Sequence, residues 1–235
     1  ISRLMDFQYI IEILPYILQG LTVTVQVFGF TLLLSIPLGI LIGSVQSIKM
    51  PFINQGLSAY TWLFRGTPLL LQLYFGMYGL PAFGFTFNRI TVAILIFTLN
   101  YGAYFTEIIR GSILSISKGQ TEVSLSLGFT KSQTFFYVII PQALKRSLQS
   151  ITNEIITLVK DTSLIAAIAL NDLLRNAKEV VSRDFRVEAF FVVGAIYLIF
   201  TLLICSLNMG FNFISYFHYM LYLVGNHCFI DIPLN

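Results

Sequence analysis

The chain has 235 residues, 56% of them hydrophobic and only 11% charged, with a formal net charge of +3 and a mean hydropathy of +0.81. A soluble domain carries about 25% charged residues, so this chain lacks the polar surface of a water-exposed globule, and its small net charge gives no basis for nucleic-acid binding. What remains is an all-α integral membrane protein built as one transmembrane domain, with no room for a separate catalytic domain. Neither of its two cysteines, Cys205 within an apolar run and Cys228 in the tail, points to a structural disulfide or a metal site.

Residues 1–20 read as an N-terminal interfacial segment. Arg3, Asp6 and Glu12 are interleaved with Tyr9 and Tyr16, which suit headgroup depth, and Pro15 interrupts the stretch. No basic region followed by a small-residue cleavage site is visible, so no removable signal peptide is expected. From Leu21 to about Val45 there is no charge, and the run exceeds the roughly 20 residues that cross the hydrocarbon. Pro37 and Gly39 are placed to kink this first span, and Lys49, Pro51, Asn54 and Gln55 mark a short loop after it.

The second span runs from near Leu57 to about Gly79 and is interrupted by Arg65-Gly66-Thr67-Pro68. An arginine near a span interior is costly and faces protein or a water-filled cavity. Gly66 and Pro68 weaken helical hydrogen bonding, which is tolerated where backbone lines such a cavity. The competing reading is a snorkelling arginine at the interface ahead of a kinked helix. After a turn-rich loop over Leu80–Arg89, a third span covers Ile90 to about Ile109. Its Asn100, Tyr104 and Glu107 share one helix face, suited to a pore or a helix contact. Alternatively Glu107 marks the water interface and pairs with Arg110 or Lys118, which the immediate Arg110-Gly111 favours.

Residues 119–143, GQTEVSLSLGFTKSQTFFYVIIPQA, are a polar insert between apolar runs. Such a segment must lie outside the hydrocarbon. Gly128 can end a helix and Pro141 stops helical continuation from the preceding turn, so a short helix, a glycine turn and a second helix are expected. The fourth span, Ser147 to about Leu170, carries Glu154, Lys160 and Asp161. Glu154, Thr157 and Asp161 fall on one face, while Lys160 points about 120° from Glu154. Ionisable groups in a span suggest function, although an ion pair from Lys160 to Asp161 or Glu154 could equally hold spans together. Asn171–Glu188 alternates Leu173, Leu174, Ala177, Val180 and Val181 with charges of both signs, the pattern of an amphipathic surface helix. A fifth span covers Ala189 to about Leu207, which completes a permease-like domain over 21–207 and leaves an atypical uncharged tail over 208–235. Five spans divide the Lys and Arg residues evenly between the two sides, so charge leaves the orientation open.

Three phrases, in order, resemble the permeases of bacterial ABC importers. Glu122, Gly128 and Pro141 match the Glu, Gly and Pro of that family's EAA loop at the right spacing, with Val138 and Ile140 conservative and Val123 and Ser124 in place of two alanines. FRGTPLLLQL at Phe64–Leu73 and Lys160-Asp161-Thr162-Ser163-Leu164 resemble the polar amino-acid branch, the histidine/glutamine/arginine-type permeases. The resemblance implies the type I importer fold of about five transmembrane helices with a cytoplasmic coupling helix. It implies a transport subunit for polar amino acids in the bacterial cytoplasmic membrane, with N-terminus outside and C-terminus inside. Its implied partners are an ATPase dimer, a second permease that is identical or closely related, and an extracytoplasmic amino-acid-binding protein. On this reading Glu122, Gly128, Phe129 and Pro141 couple to the ATPase. Arg65, Thr67, Glu154, Lys160, Asp161, Thr162 and Ser163 are the substrate-pathway candidates, with Arg65 or amides near the break for a carboxylate and Glu154 or Asp161 for an amine.

No GxxxxGK[ST] loop, HExxH, CxxC or nucleophile triad occurs, so ATP hydrolysis is expected elsewhere, with no metal and no cofactor in this chain. His218 and His227 both lie in the tail and suggest no ligand pair. The alternative function is an ion-coupled secondary transporter using Glu154, Lys160 and Asp161 as a relay. A non-transporting membrane scaffold, with the span charges serving packing, is a third.

Overall fold

A computed structural model describes residues 6–48 and 50–206. The tail over 208–235, with His218, His227 and Cys228, lies outside the described residues, as do Arg3 and Lys49.

The described elements are helical. Helix α1 (Phe7–Gln19) is capped by Asp6, whose carboxylate accepts from the Gln8 and Tyr9 amides. It runs through Pro15 instead of breaking there. A proline costs one helical bond and crowds the preceding turn, and here Ile13 and Ile17, on either side of it, are anchored in a buried cluster. Helix α2 (Leu21–Gln46) follows at once and is likewise unbroken at Pro37. Helix α3 (Pro51–Gly66) begins at a proline suited to a first turn, inside the stretch expected to be loop. After an extended Thr67 comes α4 (Leu69–Tyr74), then a π-helical turn over Phe75–Gly79 and a 3-10 turn over Leu80–Phe83. Asn88 caps α5 (Arg89–Leu114) by accepting from the Thr91 amide at 2.8 Å.

Beyond α5 come α6 (Lys118–Ser126), α7 (Lys131–Gln133), a π-helical turn over Thr134–Ile139, and α8 (Ile140–Asp161). Pro141 does not end the chain's helical course. It sits in the first turn of α8, exposed, just after the π-helical turn. A widened turn relieves the clash between a proline ring and the carbonyl four residues back, so the chain continues where a regular helix would stop. A 3-10 turn over Thr162–Ile168 leads to α9 (Leu173–Asp184) and to α10 (Glu188–Ser206).

Three described helices are long and apolar enough to span a membrane: α2, α5 and α10, with mean hydropathies of 2.2, 1.5 and 2.5. The expected second span is split at Thr67. The expected fourth is the polar-faced α8, whose acids lower its hydropathy while its other face packs. The core lies where α2, α5 and α8 meet around Val27, Phe97, Tyr101, Phe105, Leu158 and Ile165. In lipid, helix association depends on close backbone approach more than on apolar burial. Gly39 provides that approach: a Cβ there would overlap Phe105 Cβ and stand 3.0 Å from the Phe105 carbonyl carbon.

A second cluster joins α1 to α9 through Ile13, Ile17, Leu173, Ala177 and Val180. Polar contacts lock its rim. Tyr9 donates to Asp184 at 2.7 Å, Asn176 donates to the Tyr16 carbonyl at 3.0 Å, and the Arg186 guanidinium lies 3.9 Å from the Tyr9 ring centre. Hydrogen bonds from Arg183 and Tyr9 hold the Asp184 carboxyl down at about 2, from 3.8.

Gly39→Ala is expected to destabilise the detergent-solubilised protein by about 1–3 kcal/mol, the scale of an overpacked contact. Gly29→Ala, whose Cβ meets nothing within 4 Å, serves as the control in the same thermal melt.

Candidate functional site

The site is built on the interruption of the second span. Thr67 precedes a proline, which disfavours helical geometry, and it adopts φ −118° and ψ 147°. Pro68 then contributes no N–H, so carbonyls at the end of α3 lose their helical donors. Two buried amides replace them. The Gln72 Nε2 group is directed at the Phe64 carbonyl (2.9 Å), the Thr67 carbonyl (3.1 Å) and Thr67 Oγ1 (2.7 Å). Asn100, on α5, donates to the same Phe64 carbonyl at 2.9 Å and to Gln72 Oε1 at 3.0 Å. Thr67 completes the knot by donating to the Leu63 carbonyl at 2.8 Å.

Against this break opens a cavity of about 660 Å³, lined by Arg65, Gly66, Thr67, Pro68, Leu69, Leu70, Asn100, Tyr101, Tyr104, Glu154, Thr157, Asp161 and Leu164. α3 and α4 supply one wall, α5 another and α8 the third. Glu154, Thr157 and Asp161, one helical face by spacing, all line it. Tyr101 donates to Asp161 Oδ2 at 2.7 Å. Arg65 lies 5.3 Å from the Tyr104 ring centre, a cation–π arrangement, with its Nη1 3.9 Å from Glu107. Glu107 pairs more closely with Arg110, at 2.8 Å. Both sequence readings of Glu107 therefore meet in one side chain. Arg65 does not simply snorkel: it borders the cavity.

Of the pathway candidates, Arg65, Thr67, Glu154 and Asp161 are brought together here. Lys160, Thr162 and Ser163 are not. Lys160 is exposed, pointing off the acidic face as its helix position dictates, and among the described residues it forms no ion pair with Glu154 or Asp161. Thr162 is fully buried, its hydroxyl spent on the Val159 carbonyl at 2.6 Å. Ser163 lies in the 3-10 turn beyond the lining. The sequence reading missed Gln72 and Tyr101 as site-builders. A glutamine eight residues after an orphaned carbonyl, beyond a Thr-Pro break, was the available signal for the first.

At the other end of α8 the 119–143 insert folds as a compact elbow. Gly128 has φ +88°, left-handed backbone that a Cβ disfavours. Phe129 donates its amide to the Ser124 carbonyl at 3.1 Å across the turn. Thr130 and Gln133 then form a reciprocal capping box that starts the return helix. Arg146 donates to the Ser115 carbonyl at 2.8 Å and ties α8 to the end of α5. Glu122, Gly128, Phe129 and Pro141 are all exposed. The two departures from the EAA pattern sort by burial. Ser124, 5% exposed, keeps a small side chain where the elbow packs, while Val123 is 60% exposed and free in size. With Leu127 (74%) and Phe129 (42%), Val123 leaves an apolar surface uncovered.

A family model described as "Binding-protein-dependent transport system inner membrane component" matches residues 35–212. The chain belongs to this family. It is an integral inner-membrane permease subunit of an ABC importer, a family that works with separate ATPases, where ATP is hydrolysed, and with binding proteins. The permease is 36% identical over 196 residues to the probable amino-acid ABC transporter permease PatM of Vibrio harveyi, covering 82% of this chain and 88% of that one. It is 34% identical over 203 residues to the arginine transport system permease ArtQ of Bacillus subtilis (85% and 92%). It is 34% identical over 202 residues to the glutamine transport system permease GlnP of Escherichia coli K12, again covering 85% and 92%. A chain from the crystal structure of an amino acid ABC transporter with histidines superposes with a TM-score of 0.81 at 32% identity, over 88% of this chain and 97% of that one. The permease thus has the type I importer fold. A chain of an inward-facing methionine ABC transporter shares that fold with a TM-score of 0.67 at 19% identity.

Gln72→Leu leaves the Thr67 carbonyl without its side-chain donor, the Phe64 carbonyl with Asn100 alone and the Asn100 amide without Gln72 Oε1. Each buried polar group so orphaned costs about 1–3 kcal/mol. The expected outcome is a lowered melting temperature of the solubilised permease, whereas Leu71→Ala, at a 58% exposed position, leaves it nearly unchanged.

Proposed function

We propose that this permease carries polar amino acids through the cavity at the Thr67 break. The observation that supports it is one guanidinium, Arg65, facing two carboxylates, Glu154 and Asp161, around a cavity of amino-acid size between the spans. Arg65 suits a substrate carboxylate through charge-assisted hydrogen bonds. Glu154 or Asp161 suits the α-ammonium, with Thr67 on the wall between. Lys160, Thr162 and Ser163 take no part in this pathway. An ion relay through Glu154, Lys160 and Asp161 finds no support, since Lys160 is exposed, does not line the cavity and forms no ion pair with either acid among the described residues.

The exposed Val123, Leu127 and Phe129 surface, with Glu122 beside it, is where the ATPase would seat. Gly128 fixes the elbow, and Pro141 with its π-helical turn lies at the root of α8. ATP-driven closure of the ATPase dimer would then move the elbow and α8 together. This assigns residues 119–143 to the cytoplasm, the N-terminus to the outside and the C-terminus to the cytoplasm. α9 then lies on the extracytoplasmic side, where an amino-acid-binding protein would deliver substrate. A second permease subunit, identical or a close relative, completes the membrane pair.

The test is ATP-dependent uptake of labelled amino acids by vesicles holding the permease with its ATPase and binding protein, native against Gly128→Asp. Asp strains the left-handed turn and adds a charge to the apolar surface. The variant is expected to insert in the membrane while its uptake falls to background. Normal uptake by the variant, or uptake indifferent to ATP, would count against the reading. Orientation has its own check, in a background lacking native cysteines. A membrane-impermeant maleimide should label Ser182→Cys from outside intact cells, and Ser132→Cys only after permeabilisation.

A further inference from the structure

The names of the relatives include arginine, glutamine and cystine transporters, so they leave the class of side chain open. The charges around the cavity do not. Two carboxylates, Glu154 and Asp161, line it against one guanidinium, Arg65, and beyond the lining Glu107 pairs with Arg110. The nearest other cation on α8, Lys160, is exposed and does not line the cavity. Glu107 is already matched by Arg110 at 2.8 Å, with Arg65 a further 3.9 Å neighbour. Glu154 has no hydrogen-bond or ion-pair partner among the described residues, and Asp161 has only the Tyr101 hydroxyl. The cavity thus carries one negative charge more than its protein cations neutralise.

A zwitterionic amino acid does not change that balance. Its carboxylate takes up Arg65 and its ammonium takes up one acid, which leaves the other half-buried without a cationic partner. A substrate with a second cation on its side chain closes the count. The spacing allows it. Glu154 and Asp161 are seven residues apart on one helix face, about 10 Å along the axis at 1.5 Å per residue. That is too far for one ammonium to touch both backbone positions closely, and it suits two cationic groups on one extended molecule.

Resting on the transport reading above, we propose that the cavity selects cationic amino acids, those bearing a positively charged side chain such as arginine or lysine, with Glu154 as the residue that distinguishes them from neutral polar ones. Glu154 holds the second cation because its carboxylate is uncommitted, whereas Tyr101 already orients Asp161 for the first.

The test removes the binding protein, so that its own selectivity does not enter. The purified permease–ATPase complex is placed in lipid nanodiscs, and equilibrium binding of radiolabelled arginine is competed with lysine, glutamine and glutamate. Lysine is expected to compete well, glutamine at least about tenfold more weakly, and glutamate least, a tenfold ratio being about 1.4 kcal/mol. Glu154→Gln is expected to narrow the arginine-to-glutamine ratio, and Glu154→Asp to keep it. Glutamine competing as well as lysine, or a ratio untouched by Glu154→Gln, overturns the proposal. So does a complex that shows ATP-dependent amino-acid uptake with its binding protein yet binds no arginine in the nanodisc. A complex that takes up no amino acid under any condition instead strikes the transport reading on which the proposal rests.

Discussion

The structure depends on how the chain satisfies a broken helix between its spans. Hydrocarbon supplies no hydrogen-bond partners, so every backbone carbonyl released at a break must find one within the protein. Thr67 and Pro68 release those of the last α3 turn, and Gln72 and Asn100 take them up. The two amides also bond each other at 3.0 Å. That single knot fixes the end of α3, the start of α4 and the middle of α5 relative to one another. It is what makes room for a cavity at all. A regular helix through residues 51–79 would turn Arg65 with the rest of its turn and fill the space with its own side chains.

The cavity's charge follows from helix geometry alone. On α8, seven residues bring Glu154 and Asp161 onto one face, and the single extra step to Lys160 turns the cation away. A lysine at position 158, about 40° from Glu154 and 60° from Asp161, would have stood on the face and neutralised it. The same economy shows on α5, where Asn100 holds the break, Tyr101 orients Asp161, Tyr104 backs Arg65 and Glu107 lies beyond it. About two turns of α5 contact every other wall of the site.

Much of this was legible in the sequence, and what was not has a physical cause. Uncharged runs longer than the hydrocarbon thickness gave α2 and α10 directly, and the Glu122, Gly128 and Pro141 spacing marked the elbow. Helix periodicity placed Glu154, Thr157 and Asp161 together. Prolines were over-read as breaks: Pro15, expected to interrupt its stretch, and Pro141, expected to stop a helix, both lie within helical structure, one in a helix that packing holds and one behind a π-helical turn. Thr162 and Ser163 were named from a phrase of sequence, but a 3-10 turn takes over after Asp161 and buries Thr162. Gln72 could not be ranked above other polar residues without knowing which carbonyls lacked donors, a property of tertiary structure.

The elbow and the cavity are joined by one element. α8 starts at the π-helical turn beside the elbow, is tied to α5 by Arg146, and ends at Asp161 on the cavity wall. Its 22 residues span about 33 Å at 1.5 Å per residue. A helix of that length is stiff along its axis, so displacement of its root is carried to Glu154 and Asp161. The π-helical turn, with its looser hydrogen bonding, is the compliant joint at the root. On the proposed function, the acids that would meet the substrate are carried on the helical rod that leads from the elbow where the ATPase would seat. A substrate bound to those acids biases the rod's position only so far as it binds its two positions unequally. Both carboxylates stand on α8 and the guanidinium on α3 across the break, so on the proposed function a shift of α8 relative to α3 changes the distance between the charges a substrate would bridge.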